Sequence, residues 1–147
     1  MPFIKVYIHF VWSTKNREPY LNSKELRTTV WNHIKEHAKN KGIFIDFISG
    51  YNNHCHCLVS LGANQTIQKI MQLIKGESSF WINKNNLTPV KFAWQNDYYG
   101  VAVCDAKIDT VRNYIKNQEK HHAKKSYKQE LDTFINEHDF KKYNDFE

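Results

Sequence analysis

Two strand-like segments lie almost back to back in the middle of this chain. Residues 43–51 (IFIDFISGY) and 54–61 (HCHCLVSL) are rich in apolar side chains, and only Asn52 and Asn53 separate them. A connection this short joins neighbouring strands only when they run antiparallel. The two segments therefore predict a β-hairpin, and the rest of the chain has to fit around an antiparallel sheet.

Strand-like and helical patterns alternate on both sides of this hairpin. Residues 3–12 (FIKVYIHFVW) have the β-branched and aromatic composition of a strand, and shorter strands are predicted at residues 92–94 and 98–104. Residues 22–25 offer a helix start, with Glu25 three residues after the capping side chain of Asn22. Apolar side chains then recur four apart up to Gly42, which predicts a capped helix. Residues 65–83 predict a second helix with one apolar face.

Two further helices are expected after these elements. The first is predicted to start at Asp105 or Asp109, either of which has a side chain that caps helices. The second is predicted to start at Ser126, whose spacing to Gln129 is that of a capping box. Its apolar positions are expected to be buried, and they are Leu131, Phe134 and Ile135.

The order β-α-β-β-α-β, followed by helices, predicts an α+β fold of the ferredoxin-like type. In that arrangement an antiparallel sheet carries two helices on one face, and here C-terminal helices are added. A chain of 147 residues is long enough to bury a core of its own, so residues 1–147 are expected to form a single domain. Many unrelated functions use this fold, and the function has to be argued from a site.

The charge of the chain favours a polyanionic partner. Its formal net charge is +6 and its pI is about 9.2, a balance typical of nucleic-acid-binding domains, although many basic proteins bind no polyanion. The sequence contains no apolar run long enough to span a membrane, and its first residues lack the pattern of a signal peptide. Three cysteines, an odd number, argue against a disulfide framework. These features predict a cytoplasmic protein.

The histidines of the hairpin are the first candidate site. Residues two apart on a strand face the same side, so His54 and His56 are expected to project together, away from Cys55 and Cys57. Two adjacent imidazoles make a platform for a divalent metal ion. The alternative is a half-exposed histidine pair without a ligand. A zinc site that used both cysteines as well would require the strand to break.

A second candidate lies in residues 111–122, which predict a helix. Tyr114 and Gln118 are one turn apart and share a face at the edge of the apolar stripe. Either can be an ordinary residue, Tyr114 as a half-buried aromatic and Gln118 as an exposed amide. Alternatively, the amide oxygen of Gln118 completes the ligand shell of a metal ion, while the phenol of Tyr114 faces a phosphate bound to that ion. His121 and His122 are alternatives to Gln118 as metal ligands.

These motifs together resemble a known family. The run His54-Cys55-His56 at the start of a strand, followed by a helix reading YIKNQ at residues 114–118, resembles the single-tyrosine HUH transposases of small bacterial insertion sequences and their relatives associated with repetitive extragenic palindromes. Further similarity lies in residues 9–17 (HFVWSTKNR) and 74–79 (IKGESS). The resemblance covers roughly residues 6–122. One departure is Cys55, at a position where the family usually has a bulkier apolar residue.

The resemblance implies a reaction and a set of roles. Tyr114 matches the nucleophile, and His54, His56 and Gln118 match the protein ligands of a metal ion, Mg²⁺ or Mn²⁺. Such enzymes cut and rejoin single-stranded DNA beside hairpins at element ends, through a 5′-phosphotyrosine intermediate. Related enzymes are homodimers in which the tyrosine helix of one subunit serves the histidine pair of the other.

The DNA contacts are expected at basic side chains on loop and helix surfaces. These are Lys15, Arg17, Lys69 and Lys75, with Lys84 as a further candidate. Four aromatic side chains either stack on unpaired bases or belong to the core, and they are Trp12, Trp81, Trp94 and Tyr98. Two other functions fit parts of the pattern: a domesticated, non-catalytic nucleic-acid-binding protein, and a metal-dependent nuclease that hydrolyses DNA with water.

Overall fold

A four-stranded antiparallel sheet forms the centre of the computed structural model, which describes residues 1–122 and 124–140. The sheet order is β2-β3-β1-β4, and each pair of neighbours runs antiparallel. Tyr51 pairs with His54 across the two asparagines, which confirms the predicted hairpin. The strands are β1 (Tyr7–Ser13), β2 (Phe44–Tyr51), β3 (His54–Ser60) and β4 (Tyr99–Val103).

Five α-helices accompany the strands in the described part of the chain, and two short 3-10 turns cover Lys15–Arg17 and Asp105–Lys107. The first helix starts within the predicted segment, but its cap is Ser23, whose hydroxyl accepts the Leu26 backbone N–H, and not Asn22. The second begins at Ile67, because Thr66 provides its cap. The helices are α1 (Lys24–Asn40), α2 (Ile67–Lys84), α3 (Ile108–Lys116), α4 (Gln118–His121) and α5 (Tyr127–Glu137).

One face of the sheet carries the main hydrophobic core. The side chains of Phe10, Cys55, Cys57 and Val59 alternate along β1 and β3 and are fully buried beneath α1 and α2. Both cysteines therefore belong to the core, as their alternation with the histidines predicts. Burial raises the pKa of both thiols, so they remain protonated and are poor metal ligands.

The opposite face of the sheet is covered by the C-terminal helices. Leu58 on β3 packs against Ile108 and Ile115 of α3, and Val11 on β1 packs against Tyr127 and Leu131 of α5. The ferredoxin-like α+β prediction is thus confirmed, and helices lie on both sides of the sheet. The histidine-bearing face is an interior surface because α3, α4 and α5 close over it.

Several local predictions need correction. The predicted helix over residues 111–122 is interrupted at Asn117, which ends α3 in a non-helical conformation before α4 begins. Asparagine is favoured at such ends because its side chain competes for backbone hydrogen bonds. Neither Asp105 nor Asp109 caps α3, since Asp109 instead accepts a hydrogen bond from Arg112. Residues 92–94 contribute only a single bridge, from Trp94 to Thr14.

The last helix follows its prediction more closely. The capping box of Ser126 and Gln129 is present at the start of α5. Leu131 is buried and Phe134 is partly buried, whereas Ile135 is 38% exposed and was predicted wrongly. Within residues 1–122 and 124–140, no helix is both long enough and apolar enough to cross a membrane.

The core assignment predicts a contrast between two phenylalanines. Phe10 is fully buried, while Phe80 on α2 is 64% exposed. Phe10→Ala is expected to lower the free energy of unfolding by about 3–5 kcal/mol, because it removes packing and leaves a cavity. Phe80→Ala is expected to change it by about 0.5 kcal/mol or less. Urea unfolding measures both variants, and equal losses would contradict the assigned core.

Candidate active site

His54 and His56 lie side by side at the start of β3. Their ring centroids are 5.2 Å apart, and both side chains are buried to within 1% exposure. They face α4 and α5 rather than solvent, so the alternative of a half-exposed pair is wrong. Two buried imidazoles require polar partners, because an unpaired polar group in the interior costs free energy.

The carboxylate of Glu130, from the middle of α5, is the shared partner of the histidines. Its Oε1 atom lies 2.9 Å from His56 Nε2, 3.3 Å from His54 Nε2 and 3.4 Å from His122 Nε2. The Glu130 side chain is only 4% exposed. Sequence reasoning missed this residue. The sequence does contain one sign of it: Glu130 is a charged residue on the helix face that otherwise carries the apolar side chains of α5, which recur every three or four residues.

The predicted ligand Gln118 also reaches this cluster. It is fully buried at the start of α4, and its Oε1 atom lies 3.1 Å from His54 Nε2 and 2.9 Å from His122 Nε2. Its amide nitrogen donates to Glu130 Oε2 at 3.1 Å. The ligand atoms of His54, His122 and Glu130 all lie within 4.8 Å of one another, a spacing that one metal ion can bridge.

Tyr114 reaches the same carboxylate from α3. Its hydroxyl donates a hydrogen bond to Glu130 Oε2, and its ring centroid lies 5.4 Å from that of His56 in the same chain. Burial and the neighbouring Glu130 carboxylate raise the pKa of the Tyr114 phenol, so the hydroxyl keeps its proton at neutral pH. Burial alone would raise the pKa of Glu130, but the rings of His122, His54 and His56 hold it below its ordinary value.

Each of the three imidazoles is held at its outer nitrogen. His122 Nδ1 donates to the carbonyl of Lys125 at 2.7 Å, and His54 Nδ1 donates to Asn53 Oδ1 at 3.0 Å. His56 Nδ1 lies 2.9 Å from Nε2 of His9, a buried residue of β1. All three rings therefore turn Nε2 toward the same carboxylate oxygen. Metal-binding histidines are oriented by this kind of contact at the nitrogen that does not bind the ion.

Burial also favours the neutral form of the His54 ring and of the neighbouring His9 ring. It lowers the pKa of His54 to about 4. Together with the neighbouring His56, it lowers the pKa of His9 to about 3. Neutral imidazole is the form that binds metal ions. Sequence reasoning gave His9 no role; the signal was its position on β1 two residues from Val11, which places both on the face that packs against α5.

A family model described as "Transposase IS200 like" matches residues 3–118. The chain belongs to the IS200-like transposase family. The matched region includes Tyr114, the histidine pair and Gln118, and it ends before His122 and Glu130. No curated protein matches the chain.

Two solved structures have a similar fold. A proposed transposase from Deinococcus radiodurans R1 aligns with a TM-score of 0.63 and 19% identity, over 80% of this chain and 93% of that chain. A REP-associated tyrosine transposase bound to a REP hairpin aligns with a TM-score of 0.61 and 17% identity, over 83% of this chain and 72% of that chain. At these identities the similarity supports a shared fold.

The basic residues predicted to contact DNA lie on different sides of this transposase-family fold. Lys15 and Arg17 are exposed in the turn after β1, and the Arg17 guanidinium lies 5.5 Å from the ring of Tyr127 beside the histidine cluster. Lys69 and Lys75 lie on α2, on the other side of the sheet. Of the four, Arg17 is the residue with a contact beside the histidines, and DNA contact by all four remains a prediction.

The aromatic candidates divide in a similar way. Trp12 and Trp94 are buried and pack edge to face at 5.8 Å, so they belong to the core. Trp81 is partly buried and stacks on His33 at a centroid distance of 3.7 Å. Tyr98 packs against the core and lies 5.5 Å from the ammonium group of Lys75.

Lys75 differs from an ordinary surface lysine. Its ammonium group donates to the carbonyls of Asn96 and Asp97, and burial lowers its pKa to about 8 from 10.5. Between these two pH values the unfolded chain binds more protons than the folded chain, so Lys75 makes the free energy of unfolding rise with pH. We expect Lys75→Met to reduce this slope by less than about 1.4 kcal/mol per pH unit. Urea unfolding between pH 8 and pH 10 measures the slope, and an unchanged slope would contradict the assignment.

Proposed function

We propose that this chain is a transposase that cuts and rejoins single-stranded DNA, with Tyr114 as the nucleophile and a divalent cation bound by His54, His56 and Gln118. One observation carries the proposal: the phenol of Tyr114, both imidazoles and the amide of Gln118 converge on a single buried carboxylate. Membership of the IS200-like family agrees with this reaction class. A neighbour of similar fold bound to a REP hairpin supports a DNA hairpin as partner.

The donor atoms fit a divalent cation of intermediate hardness. The proposed set has two neutral imidazole nitrogens and one amide oxygen, which suits Mn²⁺ and, with more oxygen ligands from water or phosphate, Mg²⁺. When bound, the cation would polarise the scissile phosphate and offset the charge that develops on its oxygens. The His9 ring would keep the proton of His56 on Nδ1 and leave Nε2 free for the ion.

The nucleophile requires loss of a proton. Tyr114 attacks the phosphorus, a bond forms to its phenolic oxygen, and the bond to the 3′ oxygen breaks. The leaving 3′ oxygen takes a proton from water and is released as a 3′ hydroxyl. Glu130 accepts the hydrogen bond of the phenol, so it lies where the proton has to go. The phosphotyrosine conserves the energy of the broken bond, and the reverse attack by a 3′ hydroxyl rejoins DNA without ATP.

The rival functions explain less of the geometry. A binding module has no use for a tyrosine hydroxyl held on the same carboxylate as two buried histidines. A nuclease that activates water requires the metal ligands but not Tyr114. The DNA contacts proposed for Lys15, Arg17, Lys69 and Lys75 are common to all three functions, because contacts to phosphate do not depend on the reaction.

Tyr114→Phe is expected to abolish covalent attachment to DNA while hairpin binding is retained. The assay incubates labelled single-stranded hairpin DNA with the chain and Mn²⁺, denatures the mixture and separates protein-linked from free DNA. Tyr127→Phe is a matched control, because this second tyrosine stacks on His54 at 4.2 Å. Protein-linked DNA with Tyr114→Phe, or its loss only with Tyr127→Phe, would refute the assignment. Cleaved DNA without attachment in the unaltered chain would favour the hydrolytic nuclease.

The subunit that supplies the nucleophile can be tested by mixing two inactive variants. We expect a mixture of His56→Ala and Tyr114→Phe chains to recover no cleavage, because Tyr114 reaches the histidines of its own chain. The alternative arrangement is the homodimer with shared sites that the resemblance implies. It would recover activity at about a quarter of the sites after random exchange of subunits. Measured recovery near that level would reject the same-chain arrangement.

A further inference from the structure

We propose that Glu130 and His122 are also metal ligands, so that residues beyond the family-matched segment complete the site of His54, His56 and Gln118. This inference depends on the metal site proposed above and extends it. The family match ends at Gln118, whereas His122 follows α4 and Glu130 belongs to α5. The added ligands would therefore be a feature of this chain's C-terminal helices.

The distances from the Glu130 and Gln118 oxygens to the imidazole nitrogens are those found between ligands of a bound ion, and the ligand atoms of His54, His122 and Glu130 are also mutually close. With metal–ligand bonds near 2.1 Å, neighbouring ligand atoms are separated by about 3.0 Å in an octahedron and about 3.4 Å in a tetrahedron. Glu130 Oε1 lies 2.9, 3.3 and 3.4 Å from the Nε2 atoms of His56, His54 and His122. Gln118 Oε1 lies 3.1 Å from His54 Nε2 and 2.9 Å from His122 Nε2.

The tautomer of His122 supports the same conclusion. Its Nδ1 faces a backbone carbonyl, which can only accept, so Nδ1 carries a proton, and in the neutral ring, the form that binds metal ions, Nε2 has a lone pair. The lone pair of Nε2 then points at two acceptor oxygens, from Gln118 and Glu130. His54 repeats the pattern, with Asn53 Oδ1 at Nδ1 and the same two oxygens at Nε2. A cation placed among these four acceptor atoms, two nitrogens and two oxygens, would make all of them ligands.

The ligand set has consequences for the ion and for α5. Three imidazole nitrogens, one amide oxygen and one carboxylate favour Mn²⁺ over Mg²⁺, because Mg²⁺ prefers oxygen. Five protein ligands would leave one of about six octahedral positions for a phosphate oxygen. Because Glu130 belongs to α5 and the histidine pair to β3, binding of the ion would also stabilise the packing of α5 against β3.

The competing explanation is that Glu130 only occupies the cation position and leaves when an ion binds. The two explanations predict opposite effects of Glu130→Gln, a substitution of nearly the same shape. If Glu130 is a ligand, its loss weakens metal binding. If Glu130 has to be displaced, its loss leaves metal binding unchanged or strengthens it.

Mn²⁺ titration of the full chain by calorimetry, without DNA, distinguishes them. We expect Glu130→Gln and His122→Asn each to weaken binding by about tenfold or more. Glu137→Gln, the same substitution at an exposed position of α5, should leave the affinity unchanged. Circular dichroism and metal-free melting temperatures confirm that each variant is folded. Hydrogen exchange provides a second measurement, since Mn²⁺ should protect the amides of α5 in the unaltered chain and not in Glu130→Gln.

His54→Ala separates the failure of this inference from the failure of the proposed function. If His54→Ala abolishes Mn²⁺ binding while Glu130→Gln binds as tightly as the unaltered chain, Glu130 is not a ligand and the site of the proposed function stands. If the unaltered chain binds no Mn²⁺, or if His54→Ala binds it equally well, both the proposed metal site and this extension of it are wrong.

Discussion

The alternation of side chains along β3 is the constraint on which the rest of this molecule depends. Cys55 and Cys57 are buried in the core under α1 and α2. Because side chains alternate along a strand, His54 and His56 must point to the other face. A slip of one residue would exchange the two sets and bury imidazoles among apolar side chains. The same packing that stabilises the sheet therefore holds the imidazoles in fixed positions.

The second face of the sheet shows how a buried polar cluster can be tolerated. A carboxylate with only 4% exposure would be costly alone, but Glu130 is surrounded by imidazoles, an amide and a phenol. Apolar contacts flank the cluster, with Ile108 and Ile115 on one side and Tyr127 and Leu131 on the other. These contacts position α3 and α5 so that their polar groups meet, and the fold thereby brings a phenol to the histidines.

The family model matches the chain up to Gln118, and the solved neighbours share its fold. The remaining described residues add an interrupted helix and α5, and both send polar side chains into the cluster. The break at Asn117 separates Tyr114 and Gln118 into consecutive helices, yet both still reach Glu130. The C-terminal helices are thus part of the site as well as a cover for the sheet.

Local sequence periodicity determined much of this protein. It predicted the hairpin, the opposite directions of the histidines and cysteines, the order of elements and the capping box of α5, because each depends on residues within a few positions of one another. Tyr114 and Gln118 were found through their spacing and a resemblance. The sequence offered His122 only as an alternative to Gln118, and the tertiary structure decided that His122 and Gln118 share one cluster. Only the tertiary structure showed that His9 and Glu130 join them. The contact of His56 with Glu130 links residues 74 positions apart. Local periodicity cannot predict such a contact, because it arises only when α5 packs against the sheet.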